Sequence, residues 1–341
     1  MASDRVKSLL GFVVAVAVLG VILWWIGFED VTDALSKADL GTAALTIPVA
    51  ALWLTFWGLS LYTVLGALDV EIRPHRAVFV FVSAVFINNV TPLGQAGGEP
   101  ISAVLISSEA NSEYETGLAA ITSVDTLHFV PSLSLASVGL AYVGLSAIDL
   151  TRNILFAIVG VVVFAAVVPT IGYLIWRNRE RFKRTVAKRV TGLVGVLSRV
   201  LPFLSDTSEE SVAGRVDGFF EAIGRVATDR RTVLTAMSFS ALGWISLSLS
   251  LWLSLHALGF TISFVSILFV VPLGSIAGAT PLPGGLGGIE AAFATLLVPL
   301  GIPFSVAFSA VLIHRGATFW LPTLFGGGAA TLLSMQAKRV D

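Results

Sequence analysis

Charged side chains are rare in the apolar stretches of this 341-residue sequence, and the few that occur there are the first candidates for chemistry. Glu99 and Glu290 each end a Gly/Pro-rich phrase inside an apolar stretch, and Arg315 is the most deeply placed cation. A charge within a bilayer costs at least ~2.5–3.5 kcal/mol, so each of these groups needs a partner or a wet cavity. In such a cavity a carboxylate can carry a proton or bind a cation, and an arginine can bind a phosphate through two hydrogen bonds.

Each of these residues also has a purely structural interpretation. Glu99 and Glu290 stand where a helix is predicted to begin, so they can cap it by accepting amide hydrogens. Arg315 can form an ion pair with Glu290 instead of binding a ligand. Asp125 and His128 are one helical turn apart, and form either a proton relay or a satisfied polar pair. The sequence alone leaves both interpretations open in every case.

The remaining candidates surround two similar phrases, TPLGQAGGEP from Thr91 and TPLPGGLGGIE from Thr280. Asn88 and Asn89 precede the first phrase and are expected to line a cavity. The glycines allow a tight reversal and leave backbone N–H groups for an anion at the start of the next helix, unless the phrases are only packing turns. The other members of the predicted substrate-binding set are Gly97, Gly98, Gly284, Gly285, Gly287, Gly288 and His314.

The composition defines the class of protein in which these residues must be positioned. Apolar residues make up 55% of the chain and charged residues 13%, whereas soluble domains average about 25% charged. The absence of cysteine excludes disulfides and thiolate chemistry, and four histidines without HExxH spacing predict no metal site. No cofactor is expected, no Walker motif supports direct ATP drive, and a net charge of -1 gives no reason to expect nucleic acid.

The lengths of the apolar stretches predict which segments cross the membrane, because a bilayer core needs about 20 apolar residues per helix. Two apolar regions, 77–108 and 264–300, are interrupted by the Gly/Pro phrases and are predicted to be re-entrant hairpins. The predicted fold class is therefore an all-α polytopic membrane protein with six transmembrane helices plus two re-entrant hairpins arranged as an inverted repeat. The six predicted spans are 8–27, 41–68, 117–147, 153–176, 232–258 and 304–334.

The placement of charge predicts the orientation. The segment 177–231 carries 12 of the 21 lysines and arginines and is predicted to be cytoplasmic, whereas the acidic loop 28–40 is predicted to be outside. Both termini are then cytoplasmic, and a multi-pass protein of the plasma membrane is expected. Within 177–231, the apolar spacing predicts two amphipathic helices on the inner leaflet, which serve either as anchors or as a regulatory or docking surface.

An internal repeat relates the two Gly/Pro phrases. LGALDVEI from Leu65 matches LHALGFTI from Leu255 at an offset of 190, and three other matches lie at offsets of 189 to 191. The chain is accordingly divided into a first repeat, 1–150, and a second repeat, 151–341. Because each unit contains three spans and one hairpin, the two units are predicted to have opposite orientations, as in many transporters with a midplane site.

The phrases NNVTPLGQAGGEP, PLPGGLGGIEAAF and VLIHRGATFWLP resemble the flippase-like family, also called the lysylphosphatidylglycerol synthase transmembrane-domain family. The resemblance covers essentially the whole chain. It implies a membrane protein that moves aminoacylated phospholipids or lipid-linked sugars between leaflets. Two positions depart from the family pattern, since Ser102 stands where members often have arginine, and Ser123 and Val124 stand where members often have a Glu-Arg pair. No aminoacyl-transferase domain is expected, so lysyl transfer by this chain alone is not expected either.

These observations together predict a lipid translocator rather than an enzyme. The expected substrate is a membrane lipid with an anionic or phosphate-containing headgroup, with Glu99, Glu290 or Asp125 as candidates to carry a coupled proton. Two alternatives are an ion-coupled carrier of a small solute and a non-transporting subunit of a lipid or glycan assembly complex. A homo-oligomer is compatible with the sequence, which does not specify an oligomeric state.

Overall fold

The computed structural model describes residues 27–91, 94–146, 170–181, 209–278 and 282–328, together with isolated positions in 20–24 and 159–185. These residues form helices joined by short turns, and no β-strand occurs among them. The predicted spans 8–27 and 153–176, the first predicted amphipathic helix of 177–231 and both chain termini lie largely or entirely outside the described residues.

Eleven α-helices with defined bounds lie in the described part of the chain. Short 3₁₀ turns at Ile276–Gly278, Pro283–Gly285 and Val298–Leu300 flank the two helices of the second interrupted region, and a π-helical turn, Gly316–Trp320, continues the last helix. The helices are α1 Phe28–Ser36, α2 Leu40–Ala44, α3 Thr46–Ala67, α4 Pro74–Val90, α5 Gln95–Glu109, α6 Tyr114–Ser146, α7 Glu209–Thr228, α8 Arg230–Ala257, α9 Phe264–Ser275, α10 Gly288–Leu297 and α11 Phe304–Arg315.

Among the described residues, five helical segments are long and apolar enough to cross a membrane, so the chain is a multi-pass helical membrane protein. Four of these segments coincide with predicted spans. The fifth, Pro283–Leu300, lies inside the predicted hairpin 264–300, and its regular α-helical part, α10, is only about 15 Å long. The five segments are Leu40–Ala67, Tyr114–Leu145, Arg230–Ala257, Pro283–Leu300 and Phe304–Gly328.

The local structure repeats at the offset found in the sequence. Helices α3 and α8 end at Ala67 and Ala257, and α4 and α9 begin 190 residues apart, at Pro74 and Phe264. Both helix ends use the same backbone hydrogen bonds, with the N–H five residues after Leu65 or Leu255 donating to that leucine's carbonyl at 3.0 Å. Both also place a left-handed residue at the same step, Asp69 with φ 59° and Gly259 with φ 79°.

Helices α3 and α8, one from each predicted repeat, pack along each other and form the centre of the described bundle. Trp57 enters this interface and donates from Nε1 to the carbonyl of Ser240 at 3.2 Å. Gly243 makes room for it, because a Cβ atom there would lie 2.0 Å from Trp57 Nε1. Small residues at such contacts allow helices to approach closely within a membrane.

Each interrupted region folds back on itself. In the first, α4 and α5 are so close that a Cβ on Gly98 would lie 2.9 Å from the Cα of Asn88. In the second, α9 and α10 meet where Gly274 faces the ring of Phe293. The expectation that α5 begins near Glu99 is wrong, because α5 begins at Gln95, directly after Gly94 turns the chain with φ +54°. Gly97 and Gly98 are therefore inside the helix and are not part of the turn.

Helix α7, the second predicted amphipathic helix, packs on the protein. Its apolar face, including the buried Ala222 and Val226, joins the main apolar core. Two ion pairs hold its polar side to the first repeat: Arg215 Nε lies 3.4 Å from Glu115 Oε1 and Arg225 Nη1 lies 3.6 Å from Asp69 Oδ2. Both arginines are substantially exposed to solvent, so these pairs orient α7 more than they stabilise it.

Candidate functional site

The tip of the second hairpin is the turn between α9 and α10, and it presses against the last span. Gly284 has φ +57°, which favours glycine, and a Cβ atom on it would lie 2.1 Å from the ring of Phe319. Phe319 is fully buried in the π-helical turn Gly316–Trp320. Turns of this kind often occur at functional sites, and this one directly follows Arg315.

Glu290 and Arg315 form a buried ion pair at this tip. Arg315 Nε donates to Glu290 Oε1 at 2.7 Å, and Arg315 Nη2 donates to the carbonyl of Gly284 at 2.9 Å. The other carboxylate oxygen, Glu290 Oε2, accepts the N–H of Gly287 at 2.6 Å. The glutamate therefore joins the start of α10 to the last span. It also has the N-terminal capping role that the sequence left open.

The environment of the pair makes it energetically important. Glu290 is 1% exposed and Arg315 9%, and the guanidinium carbon lies 4.4 Å from the centroid of the Phe319 ring. An ion pair at this depth needs good geometry and extra hydrogen bonds to offset desolvation, and both are present. The described hydrogen bonds use two of the five guanidinium N–H donors, so the arginine has capacity for a further acceptor.

The predicted anion site made of tip amides is only partly compatible with the structure. The N–H groups of Gly285 and Leu286 donate to carbonyls within the tip, and that of Gly287 donates to Glu290. The expectation that the glycines leave these amides bare is wrong, because the 3₁₀ turn and the capping carboxylate satisfy them. Gly288 is the first residue of α10.

His314 points away from the ion pair even though it is adjacent to Arg315 in sequence. Its Nδ1 lies 3.0 Å from Ser250 Oγ on α8, and its ring is 5.7 Å from that of Phe293. Consecutive residues on a helix are about 100° apart around its axis, so they face different neighbours. His314 is 2% exposed and connects the last span to α8, so the structure separates it from the tip.

The first hairpin carries a second polar group, built from Glu99 on α5 and Asp125 on α6. Their carboxyl groups lie within reach of a shared hydrogen bond. Asp125 Oδ1 is 4.0 Å from His128 Nδ1 on the next turn of α6. The His128 imidazole lies against Trp57, with ring centroids 4.1 Å apart. The backbone carbonyl of His128 accepts the indole N–H of Trp244 at 3.2 Å. The structure therefore brings together three predicted residues, Glu99, Asp125 and His128.

The two asparagines before the first phrase have different surroundings. Asn88 lies over Gly98, where a Cβ atom would be 2.0 Å from Asn88 Oδ1. Asn89 crosses to the other repeat and donates to Thr323 Oγ1 at 2.9 Å. Asn89 is therefore a contact between the first hairpin and the last span. Gly97 is half-buried, in the first turns of α5.

The two hairpin tips approach each other. A Cβ atom on Gly94 would lie 3.7 Å from the carbonyl of Gly278, at the entrance to the second tip. Helix α4 of the first hairpin also contacts the turn Pro283–Gly285 of the second. The glutamates that follow the two tips are thus held on adjoining hairpins.

Several residues of the site were not identified from the sequence. Phe319 could have been found, because it is four residues after Arg315 and thus on the same helix face. The Gly284 carbonyl, Ser250 and Thr323 carry no such signal. Their roles depend on how helices distant in sequence are packed.

The fold and the buried charges define a multi-pass helical membrane protein with polar groups at interrupted helices inside its apolar core. The chain belongs to the family described as the lysylphosphatidylglycerol synthase TM region, whose profile matches residues 9–326. The resemblance seen in the three sequence phrases is thereby confirmed.

The chain is similar over nearly its full length to proteins named UPF0104 membrane proteins. One from Pyrococcus horikoshii is 24% identical, covering 94% of this chain and 96% of the relative. One from Methanothermobacter thermautotrophicus is 25% identical, covering 98% of both. The inner membrane protein YbhN of Escherichia coli K12 is 30% identical over 31% of this chain and 33% of its own length.

Proposed function

We propose that this protein moves a lipid with an anionic, phosphate-containing headgroup between the two leaflets of its membrane. Family membership supports a membrane role related to lipids, because the family is described by the membrane region of a phospholipid synthase. The observation that carries the proposal is the arginine at the second hairpin tip, a cation 9% exposed within an apolar bundle. Ionisable groups at such depth commonly mark a substrate pathway.

Arg315 provides the phosphate contact in this proposal. Three of its five N–H donors remain after the bonds to Glu290 and Gly284, enough for two hydrogen bonds to one phosphate. Phe319 beneath the guanidinium and Glu290 beside it keep the planar group in one orientation. A preorganised arginine loses little entropy when it binds, which favours recognition of a headgroup passing the tip.

The arrangement of the hairpins supports a path through the membrane. Helices α4 and α5, of 17 and 15 residues, are about 25 and 22 Å long, shorter than the ~30 Å hydrocarbon core. Because they fold back on each other, we propose that this region is re-entrant, and that 264–300 forms a second re-entrant hairpin. The repeated helix ends at an offset of 190 favour the six-span inverted repeat. The basic segment 177–231 favours cytoplasmic termini, and the proposed location is the plasma membrane.

The proposed mechanism follows from this symmetry. The headgroup crosses between the two hairpins, where Arg315 and residues of the first hairpin replace its hydration, while the lipid tails stay in the bilayer. Opening one repeat exposes the headgroup to one side of the membrane, and opening the other exposes it to the opposite side. The lipid is moved without a bond-breaking step by the chain.

The test is leaflet exchange in reconstituted vesicles containing phosphatidylglycerol labelled on one acyl chain with a nitrobenzoxadiazole dye. Arg315→Ala is expected to slow exchange about 10- to 100-fold, because charge-assisted hydrogen bonds contribute about 1.5–3 kcal/mol. Glu290→Gln, which removes the charge that orients Arg315, is also expected to slow it. Arg315→Lys keeps the charge but loses the planar pair of donors, so an intermediate rate is expected.

Arg225→Ala is the matched control, since it removes an arginine that is 45% exposed and far from the hairpin tips in sequence. Gel filtration of each variant before reconstitution separates loss of folding from loss of exchange. Equal exchange in the wild type, Glu290→Gln and Arg315→Ala would remove the support for this site. Exchange no faster than in protein-free vesicles would overturn the proposed function itself.

A further inference from the structure

The two hairpin glutamates have different surroundings. Glu99 and Glu290 correspond at the offset of 191, and at the same offset Val124 stands where the second repeat has Arg315. The first glutamate therefore lacks the arginine that neutralises the second. Its neighbour from α6 is instead Asp125, the residue after Val124, so two acids meet where the other repeat has an acid and a base.

The surroundings of this carboxyl pair contain buried polar atoms without partners. Within the described part of the chain, Asp125 Oδ2, His128 Nε2 and Ser102 Oγ are buried and make no hydrogen bond. His128 is 5% exposed and Ser102, one turn after Glu99 on α5, is fully buried. Buried polar atoms are normally satisfied, so partnerless atoms on Asp125 and on two residues one helical turn from the pair indicate a site that binds something.

The packed elements supply no counter-charge to the pair. Helix α6 contributes Asp125 itself and His128; α4 presents Asn88 beside Gly98, α3 presents Trp57 to His128, and α8 presents Trp244. No lysine or arginine of the described ranges forms an ion pair with Glu99 or Asp125. Two neighbouring acids without a counter-charge favour a small cation as the ligand.

We infer that Glu99 and Asp125 bind one shared proton and that its binding and release accompany lipid movement. Two carboxyl groups can form a direct hydrogen bond only when one of them carries a proton. Two carboxylates at that distance repel each other, so the pair holds a single proton tightly. The inference rests on the proposed function for its coupling to lipid movement, but the proton site stands on its own geometry.

The position of the carboxyl pair lets one proton change the contact between α5 and α6. The pair joins α5, the returning helix of the first hairpin, to α6. With the proton bound, the hydrogen bond holds the hairpin against this span; without it, two negative charges push them apart. The second hairpin has a permanent ion pair in the corresponding place, so only the first hairpin responds to protons.

The proton itself is tested by infrared spectroscopy of the whole protein in vesicles. The stretching band of a protonated carboxyl group, which shifts in heavy water, is expected in the wild type and absent in both Glu99→Gln and Asp125→Asn. Each variant keeps the size of the side chain and removes one acid. Glu29→Gln, on the exposed face of α1, is the control and is expected to keep the band. A band unchanged in both pair variants would overturn the proton site.

Coupling is tested by leaflet exchange of the dye-labelled phosphatidylglycerol under a pH gradient of one unit. If one proton accompanies each lipid, the steady-state ratio of labelled lipid in the two leaflets is expected to shift by up to about tenfold in the wild type. Glu99→Gln and Asp125→Asn are expected to lose this response, while Glu29→Gln keeps it.

The outcomes separate this inference from the proposed function. Exchange that ignores the pH gradient, or that follows a sodium gradient instead, would overturn proton coupling and leave lipid translocation standing. If the wild type moves no lipid at all, the proposed function fails, and the infrared result still decides whether the carboxyl pair holds a proton.

Discussion

Removing one charge from the Glu290–Arg315 pair is the most informative perturbation of the fold. Three variants are compared: Glu290→Gln, Arg315→Met and the double variant. Each single change leaves one buried charge without its partner, since Glu290 is 1% and Arg315 9% exposed. The double change removes both charges and keeps side chains of similar length.

The expected magnitudes follow from the burial and the hydrogen bonds. Breaking a buried pair by removing one partner costs about 3–5 kcal/mol, so each single variant is expected to lose that much unfolding free energy. Glu290→Gln should lose at least as much as Arg315→Met, because arginine cannot release its proton whereas a carboxylate can take one up. The double variant should lose less than the sum of the single losses by about 2–3 kcal/mol, as expected for groups in direct contact.

The assay is unfolding of the purified protein in mixed micelles with increasing sodium dodecyl sulfate, followed by circular dichroism. The control is the Arg215–Glu115 pair on α7 and α6, at 3.4 Å, in which the arginine side chain is 65% exposed, so Arg215→Met should cost less than about 1 kcal/mol. Strictly additive losses at Glu290 and Arg315, or single losses as small as the control, would refute the claim that this pair is desolvated and structurally essential.

Two further predictions use the same assay. Gly284→Ala should cost about 2–4 kcal/mol of unfolding free energy, because the left-handed backbone at Gly284 penalises a side chain and the new Cβ would meet the Phe319 ring at 2.1 Å. The control is Gly66→Ala in α3, where a Cβ atom would have open space, so stability should change by less than ~1 kcal/mol. Equal effects of the two substitutions would contradict the described tip. Asp229 caps α8 by accepting the N–H of Arg231 at 3.0 Å, and its hydrogen bonds lower its pKa. Asp229→Ala should therefore destabilise the protein at pH 7, and its difference from the wild type should shrink as the pH falls below the ordinary aspartate pKa of about 3.9 and through the lower pKa of the folded protein. A difference independent of pH would argue against the charged cap.

The helices were predictable because their signals are local. An apolar stretch such as 232–258 is long enough to cross a bilayer wherever it occurs, and α8 begins and ends within two residues of these bounds. Helix ends were also predictable where the repeat matched, since the Leu65 and Leu255 phrases adopt the same backbone turn. Less predictable was the start of α5, because Gly94 alone makes the turn and the later glycines continue the helix.

The partners of the polar side chains were not predictable in the same way. The sequence suggested both a ligand and Glu290 as partners of Arg315, and the structure contains the ion pair with Glu290. His314 was grouped with Arg315 on adjacency, yet it faces Ser250. Asn89 was assigned to a cavity, yet it bonds Thr323, which is 234 residues further along the chain.

The amino-acid sequence was enough to identify a helical membrane protein of a recognisable family, with two interrupted apolar regions and phrases that recur at an offset of about 190 residues. Those properties depend on segment length, composition and spacing, which act within one stretch of chain. The packing of the helices was needed to show that Glu290 is neutralised by an arginine whereas Glu99 lies beside a second acid. That difference depends on which helix faces are pressed together, and close packing at residues such as Gly98 and Gly243 sets those faces.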